Sequence, residues 1–304
     1  MAKTHDKEFF YKYVTSDTAL RILSDLTVRW SSPLLFNDPF DTQMELRQGF
    51  EADNFELLLW QEIERRVCGS EPLHGDPANL FFRILKAMQQ GKLERRFDEI
   101  KAAILRESPD GESKRIVSNY HSIVQGLNDH WKTLLHGMRI FCVSEVFDDL
   151  LMWAHYSGDH TGAVIKFKCL PALDTALCIA EAVKYNDEIP LLMTYKDLVD
   201  YLCGAGRLTE RDYFKKQALT KSSHWAYERE WRVVDFEPNP NCKDMFRISR
   251  LWPDEVEAVY LGCRMDTEAK EAIRSRLFGV LHHVKIFQAS PSRSKFELEF
   301  EQVK

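Results

Sequence analysis

Two carboxylates separated by a single residue, Glu228 and Glu230, form the pair in this sequence best suited to chemistry. On a strand, residues two apart face the same side. Two carboxylates on one face repel each other, which raises one pKa. Such a pair can divide its labour: one carboxylate stabilises developing positive charge and the other positions an acceptor. The same logic governs sugar chemistry through an oxocarbenium-like transition state. The plainer reading is a solvated strand end balanced by Arg229 and Arg232, since structural ion-pair networks also collect such charges.

Three further polar-aromatic clusters accompany the pair: YKYVT at 11–15, FNDPFD at 36–41 and LMWAHYSGDHTG at 151–162. In the last, His155 and His160 stand five apart with Asp159 between them. Metal ligation is one reading, but five apart shares a helix face poorly, and a metal site needs three or four protein ligands. A histidine in a turn is the simpler one. Trp153 and Tyr156 suit a core, or stacking on a nucleobase or nicotinamide. In FNDPFD, Asn37 and Asp38 carry turn chemistry, Phe36 and Phe40 can anchor the turn, and Asp41 is free to do more. The standard phosphate-loop, dinucleotide-fingerprint, zincin and nucleophile-elbow motifs are absent. No two of the seven cysteines are spaced C-x-x-C, which argues against a zinc ribbon and a secreted disulfide framework. Cys142 and Cys169 read as buried small hydrophobes.

The elements that must position these groups follow from periodicity. Residues 9–14 are aromatic or β-branched and read as a strand. Thr15 or Ser16 can cap a helix carrying Ala19, Leu20, Ile22 and Leu23. A second strand follows over 27–31, closed by Ser32 and Pro33. From about 50 to 136 helical spacing dominates, in Phe55 to Val67, Leu93 to Ile104 and Ile116 to Leu134. Strands are expected at 139–144, 162–168, 179–185, 231–236, 256–261 and 284–287, and helices over 149–156, 191–203 and 209–219. At the end, Phe296, Leu298 and Phe300 alternate with Glu297, Glu299 and Glu301, the pattern of a strand with one buried face and one wet face. The expectation is an α+β fold: a mainly antiparallel sheet in a core domain of residues 1–49 and 137–304, with a large helical insertion over 50–136.

The chain has 304 residues, with 44% hydrophobic and 29% charged, an ordinary globular composition. Its net charge of −6 gives no globally basic footprint for nucleic acid. The N-terminus lacks an apolar h-region, and no apolar run reaches the length of about 18 residues that spans a membrane. A cytoplasmic protein without membrane association is expected.

The clusters, in this order, resemble the bacterial and phage family catalogued as domain of unknown function 2971. The matching pieces are Tyr11 to Tyr13, Phe36 to Asp41, Leu151 to Tyr156 with His160 and Gly162, Tyr185, Trp225 to Glu228, Glu230 to Arg232, and Val259 to Gly262 with the closing strand. The resemblance takes in nearly the whole chain outside the helical insertion. A more distant one is to ADP-ribosyltransferase domains. It rests on the strand–helix–strand opening, the helix Ala19-Leu20-Arg21-Ile22-Leu23, the second strand ending Trp30-Ser31-Ser32, and Glu228-Arg229-Glu230. By that similarity Tyr13 takes the first position, where His or Arg is commoner, Ser31 or Ser32 the second, and Glu230 the third.

The second resemblance implies an NAD-consuming enzyme. Glu230 would stabilise the oxocarbenium as nicotinamide leaves, and Glu228 would orient or deprotonate the acceptor. Tyr13, Ser31, Asn37, Asp38 and His155 would hold the dinucleotide. Trp153 or Tyr156 would stack on a ring, and Lys221 or Arg232 would pair a phosphate. NAD is then a substrate, no metal is expected, and the acceptor is open. One alternative is a metal-assisted nuclease or hydrolase using His155, Asp159, His160 and the Glu pair. Another is a non-catalytic nucleotide-binding or interaction module in a phage-defence or toxin–antitoxin setting, with the helical insertion as the surface for an antitoxin or other partner protein.

Overall fold

The computed structural model describes residues 3–47, 49, 54–91, 112–205, 210–239 and 242–303. Strand β1 (Phe9–Val14) leads into helix α1 (Ser16–Asp25). The Thr15 side chain caps α1 by accepting from the Thr18 amide, and Leu26, in the left-handed region, ends it. That cap satisfies an amide which the first turn of a helix would leave without a partner. The chain reverses into β2 (Thr27–Ser31), which buries Val28 and Trp30.

Contacts divide the chain into two compact units. The first comprises residues 1–43, 134–188 and 218–304, and the second 44–133 and 189–217. The stretch 189–217, assigned from sequence to the core domain, therefore joins the helical unit. Its reason is apolar packing: Val199 and Cys203 share a buried cluster with Trp60, Ile63, Phe82, Leu85 and Met88.

The first unit is built on a ten-stranded sheet that adds β3 (Met138–Ser144), β4 (Ala163–Lys168), β5 (Glu181–Ala182), β8 (Glu230–Phe236), β9 (Phe246–Arg250), β10 (Val256–Leu261), β11 (Lys285–Pro291) and β12 (Leu298–Gln302). Its order is β12-β11-β10-β4-β1-β3-β2-β9, with β8 and β5 joined through β3. The pairings are antiparallel except β10 with β11. A separate parallel pair is formed by β6 (Lys184–Asn186) and β7 (Thr220–Ser222).

The pairing is uneven. β1 runs along β4 for its whole length and β3 along β8, yet β1 meets β3 only at Tyr11 and Ser144. β2 meets β3 only at Ser31 and Ile140. The sheet is thus split where β1, β2 and β3 diverge.

Both faces are covered. On one, α1 and α8 (Thr267–Arg276) pack over Phe10, Phe141, Val143, Ile165, Phe167 and Val259. On the other, α5 (Leu150–Tyr156) contributes Met152 and Trp153 to a cluster with Tyr13, Val164, Ala258 and Tyr260. β4 begins as a continuous apolar run buried on both faces, Ala163, Val164 and Ile165, and then alternates the half-buried Lys166 and Lys168 with the buried Phe167. Gly262 lets this region close, because a Cβ there would stand 2.1 Å from the His160 carbonyl oxygen.

In the second unit α2 (Phe55–Cys68), α3 (Leu80–Gln89) and α6 (Tyr195–Leu202) surround the cluster that contains Trp60. Helix α4 (Glu112–Gly137) belongs to it up to Thr133, and α7 (Glu210–Ala218) up to Gln217. The helical spacing read over Leu93 to Ile104 lies outside the described residues. Two other expectations change. The strand read over 179–185 is broken into β5 and β6 at the buried Val183. Phe296 is fully exposed in the loop before β12, so the alternation begins only at Leu298, with Leu298 and Phe300 half-buried.

Candidate active site

At the split in the sheet a cavity of about 420 Å³ opens, lined from β1 by Tyr11, Lys12 and Tyr13, from β2 by Arg29 and Ser31, and from β3 by Ile140, Cys142, Val143 and Ser144. Phe36, Asn37 and Asp41 enter from the turn after β2, Met152, His155 and Tyr156 from α5, and Lys221, Glu228 and Glu230 from the segment around β7 and β8. All of these residues belong to the first unit.

Strand alternation puts the acidic group here. On β8, Trp231 and Val233 face the apolar core, so Glu230 and Arg232 face the other way. Their register partners on β3 are Ser144 and Cys142. Glu228 is not on the strand as the sequence suggested. It ends a 3₁₀ turn (Ser223–Glu228), and Arg229 follows at φ 43° in the left-handed region. That kink, together with a hydrogen bond from Ser144 Oγ to the Glu228 carbonyl at 2.7 Å, turns Glu228 back toward Glu230. Arg229 itself points to solvent. The pair is therefore buried rather than a solvated strand end, and only Arg232 of the two arginines neutralises it.

The convergence point is Lys221, on β7. Its Nζ lies 2.5 Å from Glu228 Oε2, 3.0 Å from Glu230 Oε2 and 3.4 Å from Asp41 Oδ2. Arg232, 1% exposed, lies beneath. All five of its N–H groups have acceptors: Nε donates to Glu230 Oε1, Nη2 to Glu230 Oε2 and Asp41 Oδ2, and Nη1 to Thr42 Oγ1 and the Ala218 carbonyl. Asp41, at the end of FNDPFD, thus supplies the third carboxylate. With all five groups ionised, three carboxylates face two cations, an excess of one negative charge.

This environment pushes the two glutamates apart. Burial would raise Glu230, but Arg232 and Lys221 outweigh it and hold the carboxyl far below the usual range. Glu228 is raised, chiefly by burial and further by the charge of Glu230, against the opposing pull of Lys221 and Tyr156. Tyr156 Oη donates to Glu228 Oε1 at 2.5 Å. Lys221 is held strongly protonated by Glu230, Asp41 and Glu228 despite its burial. Cys142, beside Glu230, is kept a thiol by burial.

Thr42 adds backbone strain. It sits at φ 65°, an outlier for a β-branched residue, and is held there by the hydrogen bonds of its hydroxyl to Asp41 at 2.9 Å and Arg232 at 3.0 Å. Strain of this kind persists where surrounding structure over-determines it, and it gathers at functional sites.

Among the residues named from sequence, Tyr13, Ser31, Asn37, His155, Tyr156, Lys221, Glu228 and Glu230 line the cavity. Arg232 supports it from below. Asp38 and Trp153 do not line it. Asp38 accepts from the Phe40 amide at 2.9 Å and from Trp225 Nε1 at 2.7 Å. Trp153 is fully buried, donates to the Phe147 carbonyl at 2.8 Å and packs edge-on to Tyr13. Ser32, the alternative to Ser31, is buried and donates to the Leu135 carbonyl.

His155 and His160 are not brought together. His155 is exposed against the rings of Tyr156, Trp225 and Tyr227, while His160 stacks on Trp153. Among the described residues no three His, Cys, Asp or Glu side chains are grouped to hold a metal ion. Sequence reasoning gave no site role to Lys12, which it noted only within the Tyr11 to Tyr13 cluster, or to Cys142, which it read as a small hydrophobe, and it did not single out Arg29 or Thr42. It noted Tyr185 without a role; its hydroxyl accepts from the Glu230 amide at 2.7 Å.

With this geometry in hand, the comparisons fall on one part of the chain. A family model described as a protein of unknown function (DUF2971) matches residues 152–233. No curated protein and no solved structure matches the chain. The match is narrower than the near-complete resemblance read from sequence. The matched segment carries His155, Tyr156, Lys221, Glu228, Glu230 and Arg232. β1 and the FNDPFD turn lie outside it and reach the same site through the fold, Asp41 by its ion pair to Arg232 at 2.7 Å. No helix among the described residues is long and apolar enough to cross a membrane.

Proposed function

We propose that the cavity binds NAD and that the protein is an ADP-ribosyltransferase-like enzyme, transferring the ADP-ribosyl group to an acceptor or to water. The observation that carries this reading is the buried pair Glu228 and Glu230, held on one lysine with their pKa values driven in opposite directions. Two titratable groups pushed apart in this way mark an acid–base assignment. Glu230, ionised throughout the working range, gives the site the negative potential that an oxocarbenium needs. Because the ion network is already ordered, its field requires no reorganisation as positive charge develops.

In the reaction the bond between the nicotinamide nitrogen and ribose C1′ breaks, and its electron pair leaves with nicotinamide. The acceptor oxygen or nitrogen then bonds to C1′ and gives its proton to Glu228. A carboxyl whose pKa is raised by burial is suited to that transfer. The aromatic walls at Tyr11, Tyr13, Phe36 and Tyr156 suit a ligand with flat rings, and the cavity volume falls in the range of about 300–1,000 Å³ typical of small-molecule sites.

The test is calorimetric titration of NAD with nicotinamide release followed in parallel. Wild-type protein should bind and release, and Glu228→Gln should bind while release falls by about 10²-fold or more. Glu230→Gln should abolish release but removes a partner of Arg232, so its folding is checked by circular dichroism. Absence of binding at millimolar NAD, or undiminished release in Glu228→Gln, would overturn the reading.

A further inference from the structure

Lys221 and Arg232, the two cations nearest the glutamates, are committed to carboxylates inside the protein. Arg232 has used all five N–H groups, and Lys221 donates to Glu228 and Glu230 and stands 3.4 Å from Asp41, so the charge of both is taken up by buried carboxylates. Two other cations line the same cavity, and they are differently placed. Lys12, on β1, places its Nζ 5.2 Å from the centre of the Phe141 ring and gives one hydrogen bond, 2.6 Å, to the Cys142 carbonyl. Arg29, on β2, lies over the Phe246 ring and donates from Nε to Ser31 Oγ at 3.2 Å. Among the described residues neither is paired with a carboxylate. Ammonium and guanidinium groups each retain further donors in this state.

From this we infer that Lys12 and Arg29, with the Ser31 hydroxyl, form the anion-binding end of the cavity and take the diphosphate of a nucleotide ligand. This deepens the NAD reading and rests on it for the identity of the ligand, while the phosphate subsite itself can be tested apart from any turnover. The cavity lining carries both signs of charge: the carboxylates gathered around Lys221 and Arg232, and the cations Lys12 and Arg29, which have no carboxylate partner among the described residues. A phosphate is repelled by the first and drawn to the second, so the ligand is oriented with its phosphates toward β1 and β2. The net charge of −6 and the cavity volume of about 420 Å³ favour a small nucleotide over a nucleic-acid strand, which needs an extended basic track.

The probes are ADP and adenosine, titrated by calorimetry into the full chain and into Lys12→Met and Arg29→Gln. Both positions retain solvent access, and melting curves confirm that the variants fold. Wild-type protein should bind ADP about tenfold or more tightly than adenosine. Each substitution should weaken ADP by about tenfold to a hundredfold, the value of one charge-assisted hydrogen bond, and leave adenosine unchanged. Raising the salt should weaken ADP and spare adenosine. Equal affinity for ADP and adenosine, no binding of ADP, or full ADP affinity in both folded variants would overturn the subsite. ADP binding that follows this pattern without nicotinamide release from NAD keeps the subsite and removes the NAD reaction. Release from NAD that is indifferent to both substitutions does the reverse.

Discussion

Arg232 and Glu230 stand two residues apart on one strand and meet as a two-pronged ion pair, Nε to Oε1 at 2.8 Å and Nη2 to Oε2 at 3.0 Å. The same guanidinium reaches Asp41 from the turn after β2 and the Ala218 carbonyl before β7. One side chain therefore fixes three segments of the first unit around the cavity. Replacing it leaves the buried Glu230 and Asp41 with Lys221 as their remaining cationic neighbour. Arg232→Met is expected to destabilise the first unit by about 3–5 kcal/mol, the usual result of removing one partner of a buried pair. Arg232→Lys should recover little, because an ammonium cannot reproduce the planar fork. Urea unfolding monitored by circular dichroism measures both. A loss under about 1 kcal/mol would mean that the network contributes no more than a surface pair.

The glutamates should also be separable by the pH dependence of stability. Glu230 is held below the ordinary carboxylate range, so the folded chain binds its proton less readily than the unfolded chain. Its contribution is complete above the unfolded value of about 4.3 and is lost as pH falls toward the folded one. Glu228 is shifted the other way: the folded chain keeps its proton longer, and the stability this provides is lost as pH rises from about 4.3 through the raised value. The stability of wild type relative to Glu228→Gln should fall as pH rises above about 4, and that relative to Glu230→Gln should fall as pH drops below it. Denaturant midpoints over a pH series decide this, and a flat difference for Glu228→Gln would show that its carboxyl titrates as in water.

The sequence made the site partly legible. β1 was visible because its residues are aromatic or β-branched, and the cap at Thr15 follows from residue type. The Glu-x-Glu spacing drew attention to the right residues for a reason that does not hold, since Glu228 reaches Glu230 through the left-handed turn at Arg229 and not by strand alternation. Lys12 and Arg29 were given no role because a lone cation on a strand carries no spacing signal, and only the split between β1, β2 and β3 gives both the same cavity. β9 was missed because its residues are largely exposed or half-buried, with Phe246 and Ile248 facing solvent, which leaves no buried face to reveal it. The grouping of 189–217 with the helical unit depends on long-range apolar packing that no local pattern encodes.

Asp38 was expected to touch ligand and instead holds Trp225, whose ring lies 5.2 Å from Lys221 Nζ and edge-on to His155. Asp38→Ala removes the acceptor for the indole N–H and for the Phe40 amide. The expected cost is about 1–3 kcal/mol, as for a polar group left without its partner, with a change in tryptophan emission as Trp225 is released. The emission change should vanish when the same substitution is made in a Trp225→Phe background. An emission change that persists there would place the disturbance at another tryptophan.

Tyr156 gives the sharpest test of Glu228 as the proton acceptor. Its hydroxyl donates to Glu228 Oε1 at 2.5 Å, a bond that favours the carboxylate. Tyr156→Phe keeps the ring against the cavity wall and removes only that donor, so the Glu228 pKa should rise further. If deprotonated Glu228 is needed for transfer, the rising acid limb of the pH profile for nicotinamide release moves to higher pH in Tyr156→Phe. The rate at high pH, where Glu228 is ionised in both proteins, then changes little. A purely structural role for Tyr156 would instead depress the rate by the same factor at every pH. A scaled but unshifted profile would therefore remove the Tyr156–Glu228 pair from the proton-transfer step, while leaving Glu230 free to stabilise the charge at C1′.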